Sequence, residues 1–381
     1  MVFSRNGISH MRICSLFLFM LAAGCGQESH PLAEPSPPDP SGAPTPPTVA
    51  VELDDPQAIE VLQQQAAKLR RDQQGLVVDV DFRGTRLDDA GLDALAGLRR
   101  VRAVRLAGTA IADQDLEKLA ALKTVRDLDL RNCPVGNSGL AHLAGLTGLR
   151  ALRLSGKSGA TQVDDEGMLH VGKLTGLKAL LLDFLFVSED GLKKLTNLAG
   201  LEEIYLAGTL VGDDAIGVLT QFPTLKKLRL SQTQVSSQGL AGLKALTHLQ
   251  ELDLSENSLI FDDGLAHLAA LDHLTKLNLW RVQATDDGVK QLAGLKNLKW
   301  LNLDNTQLSD DGLPALSGLA RLEFLHLGST AVTDAGLGAL EDLRALRQLK
   351  VTRTNITAAG VAGLRQKLPE AEIQLKYIEG Q

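Results

Sequence analysis

Aromatic side chains make up only 3% of the 381 residues, with two tryptophans and two tyrosines among them, so any core must be built from aliphatic residues. Cysteine is almost as scarce. Of Cys14, Cys25 and Cys133, the first lies in an apolar leader that the mature protein should lose, so no disulfide framework can form. Neither sign of charge dominates, since 39 basic and 46 acidic residues give a formal net charge of -7, and such a balance argues against a polyanion as the general partner. The longest apolar run, Ile13 to Gly24, is shorter than the roughly 20 residues needed to span a bilayer, and it suits a signal-peptide core. No HExxH, GxSxG, paired CxxC or cysteine–histidine constellation is found, so no enzyme class finds support, and neither a cofactor nor a metal is expected.

What is present begins with an address. Arg5, His10 and Arg12 precede the apolar run, which ends Leu21-Ala22-Ala23-Gly24-Cys25. This ending resembles the lipobox of bacterial lipoproteins, with Ala22 where a leucine is usual and Leu21 one place earlier. The resemblance implies removal of residues 1–24, lipidation of Cys25 and a membrane anchor. Gly26 after the cysteine, where an aspartate would mean retention, implies outer-membrane sorting. The alternative is an ordinary secretory signal cleaved elsewhere, which would leave Cys25 a plain thiol. Residues 25–50 hold eight prolines among Ser, Thr, Gly and Ala, a composition that forms an extended tether and no packed element.

From Val77 onward one phrase returns. Its leading aliphatic residues are Val77, Val101, Val125 and Leu149, then Leu177, Leu201, Leu225 and Leu249, then Leu274, Leu298, Leu322 and Leu346. The spacing is 24 except for steps of 28 after Leu149 and 25 after Leu249, and both insertions fall in the loop after a strand. The apolar period is two in the first half of each unit and three to four in the second, which predicts a short strand, a turn and a helix. Leu322-x-x-Leu325-x-Leu327 followed by Thr333-Asp334-x-Gly336-Leu337 resembles the leucine-rich-repeat family, and its second half is similar to the cysteine-containing class of F-box adaptors. The expected fold is an α/β solenoid or horseshoe of about 12 repeats over residues 77–368, with a parallel concave sheet and convex helices. Residues 51–76 should cap its start, with an amphipathic helix over 56–73, and residues 369–381 should close it with a strand at 373–375.

Where many family members carry an asparagine, this chain has Thr85, Thr109, Thr209, Thr233, Thr306, Thr330 and Thr354, with Cys133 and Asn257 at two further places. Leu185 and Val282 cannot serve there, so a polar ladder should break at units five and nine and leave the stacking less regular. Acidic pairs such as Asp213-Asp214, Asp262-Asp263, Asp286-Asp287 and Asp310-Asp311 suit helix N-caps and first turns better than a calcium ladder. Glycine before the helix leucine in ten units, Gly239, Gly288 and Gly336 among them, reads as close packing of helix on strand. Ala151 to Ser158 satisfies a relaxed Walker A pattern, yet its first half is the strand of unit four and no helix follows Lys157-Ser158 directly, so no nucleotide is expected.

Residues at the third, fifth and seventh places of the phrase should face the concave surface. They carry nine acids and eight bases, which lacks the one-signed field of a nucleic-acid binder. Asp81, Arg105, Asp129 and Arg153 should pair across neighbouring strands. Both tryptophans, Trp280 and Trp300, occupy such places, joined by Phe324 and His326, with Asn278 and Asn302 beside them and Tyr205 isolated further back. Binding hot spots are enriched in such rings, so these seven residues form the candidate binding surface. The expected function is a non-catalytic cell-envelope scaffold that binds a protein or peptide, with a glycan as the other ligand class. A substrate-recognition adaptor like the F-box proteins is the second reading, and the signal peptide argues against it.

Overall fold

A computed structural model describes residues 53–376, so Cys25, the leader and the proline-rich segment lie outside the described residues. Fourteen strands form one sheet in chain order. β1 (Lys68–Arg71) pairs antiparallel with β2 (Val77–Asp81), and every later pairing is parallel. The register is the repeat itself: Lys276 lies opposite Trp300, Trp300 opposite Phe324 and Phe324 opposite Gln348. Three apolar residues of each phrase, mostly leucines, point inward from strand and flank, and Leu298, Leu301 and Leu303 are fully buried together with their equivalents along the stack. No unit closes a core alone, so each depends on the leucines of its neighbours.

The helical half is shorter than the periodicity suggests. Several units have five- to seven-residue α-helices, as at Asp213–Leu219 and Asp286–Lys290, while others have only 3-10 turns, as at Gly239–Ala245 and Asp334–Leu340. Strands stack about 4.8 Å apart whereas packed helices need about 8–10 Å, so the sheet takes the inner side of the curve. The tighter 3-10 form narrows the outer layer.

The start of the stack differs from the expected helix over 56–73. That helix ends at Gln64, Ala66 adopts a φ of 57°, and Lys68–Arg71 turns back as β1. Only Leu69 of this segment is half-buried, and its backbone covers hydrogen-bonding groups that β2 would otherwise leave open at an edge. At the far end Glu372–Gln374 adds β14 beside β13 (Gln348–Lys350).

The polar ladder also takes another form. Each threonine hydroxyl donates to the carbonyl three residues before it, as Thr306 does to Leu303 at 2.7 Å and Thr330 to Leu327 at 2.6 Å, and so closes its own turn. Asn257 joins units by donating to both the Leu230 and Leu254 carbonyls, and the Cys133 thiol does so by donating to the Leu106 carbonyl. Leu185 and Val282 are buried and fill core space, and the strands of their units stay in register, so the expected irregularity is absent. The register is carried by the strand hydrogen bonds and not by this side chain.

Candidate functional site

On the outer side, the acidic pairs have a role the sequence reading assigned only in part. Asp88 and Asp164 do cap their own helices. Elsewhere the first carboxylate of a pair reaches forward one unit: Asp213 accepts from the Ser236 amide at 2.7 Å and its hydroxyl at 2.6 Å, and Asp286 accepts likewise from Ser309. Asp262 with Thr285 and Asp310 with Thr333 repeat the arrangement. The glycine three residues after each gripped residue belongs to the same device. A Cβ at Gly239 would collide with Asp213, and one at Gly288 with Asp262, so the close approach is to the preceding unit's carboxylate rather than to the strand. Among the described residues no group of three or more His, Cys, Asp or Glu could hold a metal ion.

On the concave side the N-terminal charges neutralise one another, though not in the directly opposed pairs expected. Arg105 reaches diagonally to Asp79 at 2.9 Å and Arg153 diagonally to Asp127, while Asp81 and Asp129 pair with Arg83 and Arg131 two residues on in their own chain, each at 2.7 Å. A guanidinium on a long stem reaches a diagonal carboxylate as readily as an opposed one. The bond from Arg83 holds the Asp81 carboxyl down to about 2.

In the middle of the sheet Tyr205 on β7 (Glu203–Tyr205) is not isolated. The Arg229 guanidinium of β8 (Lys227–Arg229) lies 4.5 Å over its ring and also binds Asp183 of β6 (Ala179–Asp183) at 3.0 Å and Asp253 of β9 (Glu251–Asp253) at 3.4 Å. Burial pushes both the Tyr205 phenol and the Asp183 carboxyl upward. Lys227 and Glu251, 3.0 Å apart, complete a small hollow with Lys276. The sequence reading missed this cluster because its members lie in five different units; the third, fifth and seventh places of units five to nine were the available signal.

Further along, β10 (Lys276–Asn278), β11 (Trp300–Asn302) and β12 (Phe324–His326) bring most of the predicted residues together. The Trp300 and Phe324 rings stack with centroids 4.8 Å apart and planes 5° apart. Lys276 places its ammonium 5.0 Å from the Trp300 centroid, and His326 meets Phe324 edge-on at 6.4 Å. Neighbouring parallel strands in register hold these rings at the natural stacking distance. Asn278 and Asn302 accept the amides of Trp280 and Asp304 through their side-chain carbonyls, which orients their amide groups. Trp280 stands at the end of its strand under Arg281, 5.6 Å away, and outside the Trp300–Phe324 stack. Tyr205 is four strands from Trp300, on the order of 19 Å, and belongs to the central cluster.

Burial lowers the His326 pKa below its usual value, helped by Lys350 and opposed by Asp304. The unfolded chain therefore binds a proton near pH 6.5 that the folded chain resists, so stability should fall as pH drops from about 6.5 to the folded pKa and level off below it. His326→Asn should flatten that slope in melts taken between pH 7 and pH 5. An imidazole resonance titrating at or above 6.5 would contradict the assignment.

Cys133 is buried, donates to the Leu106 carbonyl at 3.1 Å and has its thiol pushed upward by burial, as befits a core residue. The Walker-like segment is strand β5 (Ala151–Ser155) and a loop, with Lys157 over the Phe184 ring and the next helix starting only at Asp165. Phe186, Leu210, Leu259 and Phe261 are exposed in the turns after the strands, an apolar set that periodicity did not single out. No helix of the described residues is long and apolar enough to cross a membrane.

A family model described as leucine rich repeat matches residues 272–332, and a second leucine-rich-repeat model matches 121–144 and 245–269. No curated protein matches the chain. Among solved structures, an internalin of Listeria monocytogenes is 19% identical over 86% of this chain and 96% of its own, with a TM-score of 0.58. An internalin C2 of the same organism is 23% identical over 62% of this chain and 84% of its own, with a TM-score of 0.38. A leucine-rich-repeat protein of Leptospira interrogans is 18% identical over 83% and 98%, with a TM-score of 0.47. The fold is thus a leucine-rich-repeat solenoid, built from one mostly parallel sheet with short helices behind it.

Proposed function

We propose that this leucine-rich-repeat chain is a non-catalytic scaffold of the cell envelope, anchored by a lipid on Cys25, which takes a protein or peptide segment on the C-terminal part of its concave sheet. Solenoids of this kind present extended concave binding surfaces, and their repeats supply rigidity without chemistry of their own. The observation that carries the reading is the half-exposed stack of Trp300 on Phe324, flanked by Lys276 and by the oriented amide of Asn302. A flat apolar slab edged with hydrogen-bond donors suits a peptide that offers a side chain to the rings and carbonyls to the rim. Ring pairs that serve only to cover each other would need no ordered donors beside them.

Two measurements test this. Metabolic labelling with a fatty-acid analogue should mark the wild type, and Cys25→Ser should abolish the label and release the protein from the membrane fraction; label on the variant would refute the anchor. Capture from envelope extract by the wild type should fall about thirtyfold in Trp300→Ala and Phe324→Ala, the effect of about 2 kcal/mol at a hot spot. Prior digestion of the extract with protease should abolish capture. Capture that survives digestion would make the ligand a glycan, and capture unchanged in both variants would move the binding surface to the Arg229 cluster.

A further inference from the structure

The second place of each phrase lies at the rim where the strands begin, and in units two to five it holds Arg102, Arg126, Arg150 and Lys178, all exposed. They are successive rungs of one ladder: the Arg126 amide donates to Arg102, Arg150 to Arg126 and Lys178 to Arg150, each at 2.7 Å. Four positive side chains therefore follow one another at about the interstrand spacing of 4.8 Å. Arg126 and Arg150 donate to the carbonyls of Gly148 and Gly176, and neither they nor Arg102 has a carboxylate partner among the described residues. Lys123, exposed in the loop before Val125, adds to the same rim. The run stops at Glu202, which binds both Lys178 and Lys226, and beyond it the row loses its single sign, as where Lys299 meets Glu323.

The opposite rim, past the ends of the strands, is mixed in sign: Asp190, Asp214, Asp287 and Asp311 are exposed at the helix starts, Asp190 and Asp287 pair with Lys193 and Lys290, and Arg83, Arg86, Lys157 and Arg281 are exposed in the turns. The net charge of -7 thus conceals one rim that is positive over four units. The chain also enters the solenoid at the positive rim. Asp54 accepts from the Arg99 and Val77 amides at 2.8 Å and 2.6 Å, and the Asp55 amide donates to the Gly97 carbonyl at 3.0 Å, so Leu53, which is 71% exposed, is held one loop from Arg102.

We propose that this basic rim rests on an anionic lipid surface, with phospholipid headgroup phosphates as its ligands. The surface chemistry stands on the rim itself, while its orientation toward the bilayer rests on the reading that Cys25 carries the lipid. A linear polyanion is a poorer fit, because a rigid row of about four charges gives it a short track, whereas a headgroup plane lets each base choose its own phosphate. The tether raises the local concentration of headgroups at this rim, so a contact weak in free solution is occupied in the anchored protein. Docked this way, the solenoid stands on its strand-start rim with the concave sheet facing sideways.

The test uses the mature chain from residue 25 with Cys25→Ser, which removes the lipid and leaves the rim. It should co-sediment with vesicles containing about 40% phosphatidylglycerol at low salt, release at high salt, and ignore pure phosphatidylcholine. Each base near such a surface contributes about fivefold in affinity, so Arg102→Gln/Arg126→Gln/Arg150→Gln should lower binding about a hundredfold. Because Arg126 and Arg150 also bind backbone carbonyls, a triple lysine variant is run beside it and should bind like the parent. Equal binding by the glutamine variant and its parent overturns the proposal, as does equal binding to neutral vesicles. Tight binding to heparin with no vesicle binding assigns the rim to a soluble polyanion instead. None of these outcomes depends on whether Cys25 is acylated, which the labelling experiment decides separately.

Discussion

Leu301→Ala should destabilise the protein by about 2–5 kcal/mol, whereas Trp300→Ala, one residue earlier on the same strand, should cost about 1 kcal/mol or less. Leu301 is fully buried, and it packs in a core shared with Leu277 on one side and Leu325 on the other, its partners in the strand register. Truncation removes methyl groups from contact with three units at once, and the strand hydrogen bonds keep the backbone from collapsing into the gap. Trp300 is only half-buried and loses one stacking partner, Phe324, together with the Lys276 contact. Such a ring contact contributes about 0.5–1.5 kcal/mol beyond its buried area, and part of the ring's surface already faces water. Urea melts of both variants followed by far-ultraviolet circular dichroism separate the cases. Equal loss of midpoint would make the Trp300–Phe324 stack a structural element and remove the observation on which the binding proposal stands.

The second large effect concerns the outer clasp. Asp213→Ala should cost about 2 kcal/mol, because the Ser236 amide and hydroxyl lose a charged acceptor at 2.7 Å and 2.6 Å in a partly buried position. Gly239→Ala should cost a similar amount for the opposite reason, since its Cβ would enter the space that the Asp213 carboxylate fills; the nearest atoms it would meet all belong to Asp213. The two changes should therefore not add. With the carboxylate gone the methyl group loses its two worst contacts and keeps only a tight approach to the Cα of residue 213, so the double variant should be at least about 1 kcal/mol more stable than the sum of the single effects predicts. Strict additivity would mean that Gly239 serves the helix backbone alone and that clasp and glycine are independent.

The repeat was legible because its period is a direct consequence of the geometry it builds. A side chain returns to the same face every second residue in a strand and every third or fourth in a helix, so Leu322, Leu325, Leu327 and Leu337 announce strand, turn and helix wherever they recur. The same regularity places Trp300 and Phe324 on adjacent rungs, and once the period of 24 is known their stacking follows from strand spacing. The register also made Lys276 a neighbour of Trp300 in advance, since both hold the third place. Tyr205 read as solitary only because its partners were looked for among aromatics.

Other features followed from reach rather than period. Arg105 prefers Asp79 to the opposed Asp81, and Arg229 links Asp183 to Asp253 across the strand that carries Tyr205, because long flexible stems choose among several carboxylates at nearly equal cost. Residues 68–71 became a strand and not the end of a helix because the open edge of β2 offered hydrogen bonds that a fraying helix could not match. The basic rim likewise escaped a count of total charge, since a sum discards position.

By itself, then, the amino-acid order determined the solenoid, its unit length, the residues of its core and the face on which its rings stand, all of which depend on side-chain periodicity along one chain. Only the tertiary structure decided which carboxylate holds which guanidinium, and that Asp213, Asp262, Asp286 and Asp310 grip the following unit while Asp88 and Asp164 cap their own helices. Those depend on distances between residues about one repeat apart, which stacking fixes and no local pattern encodes.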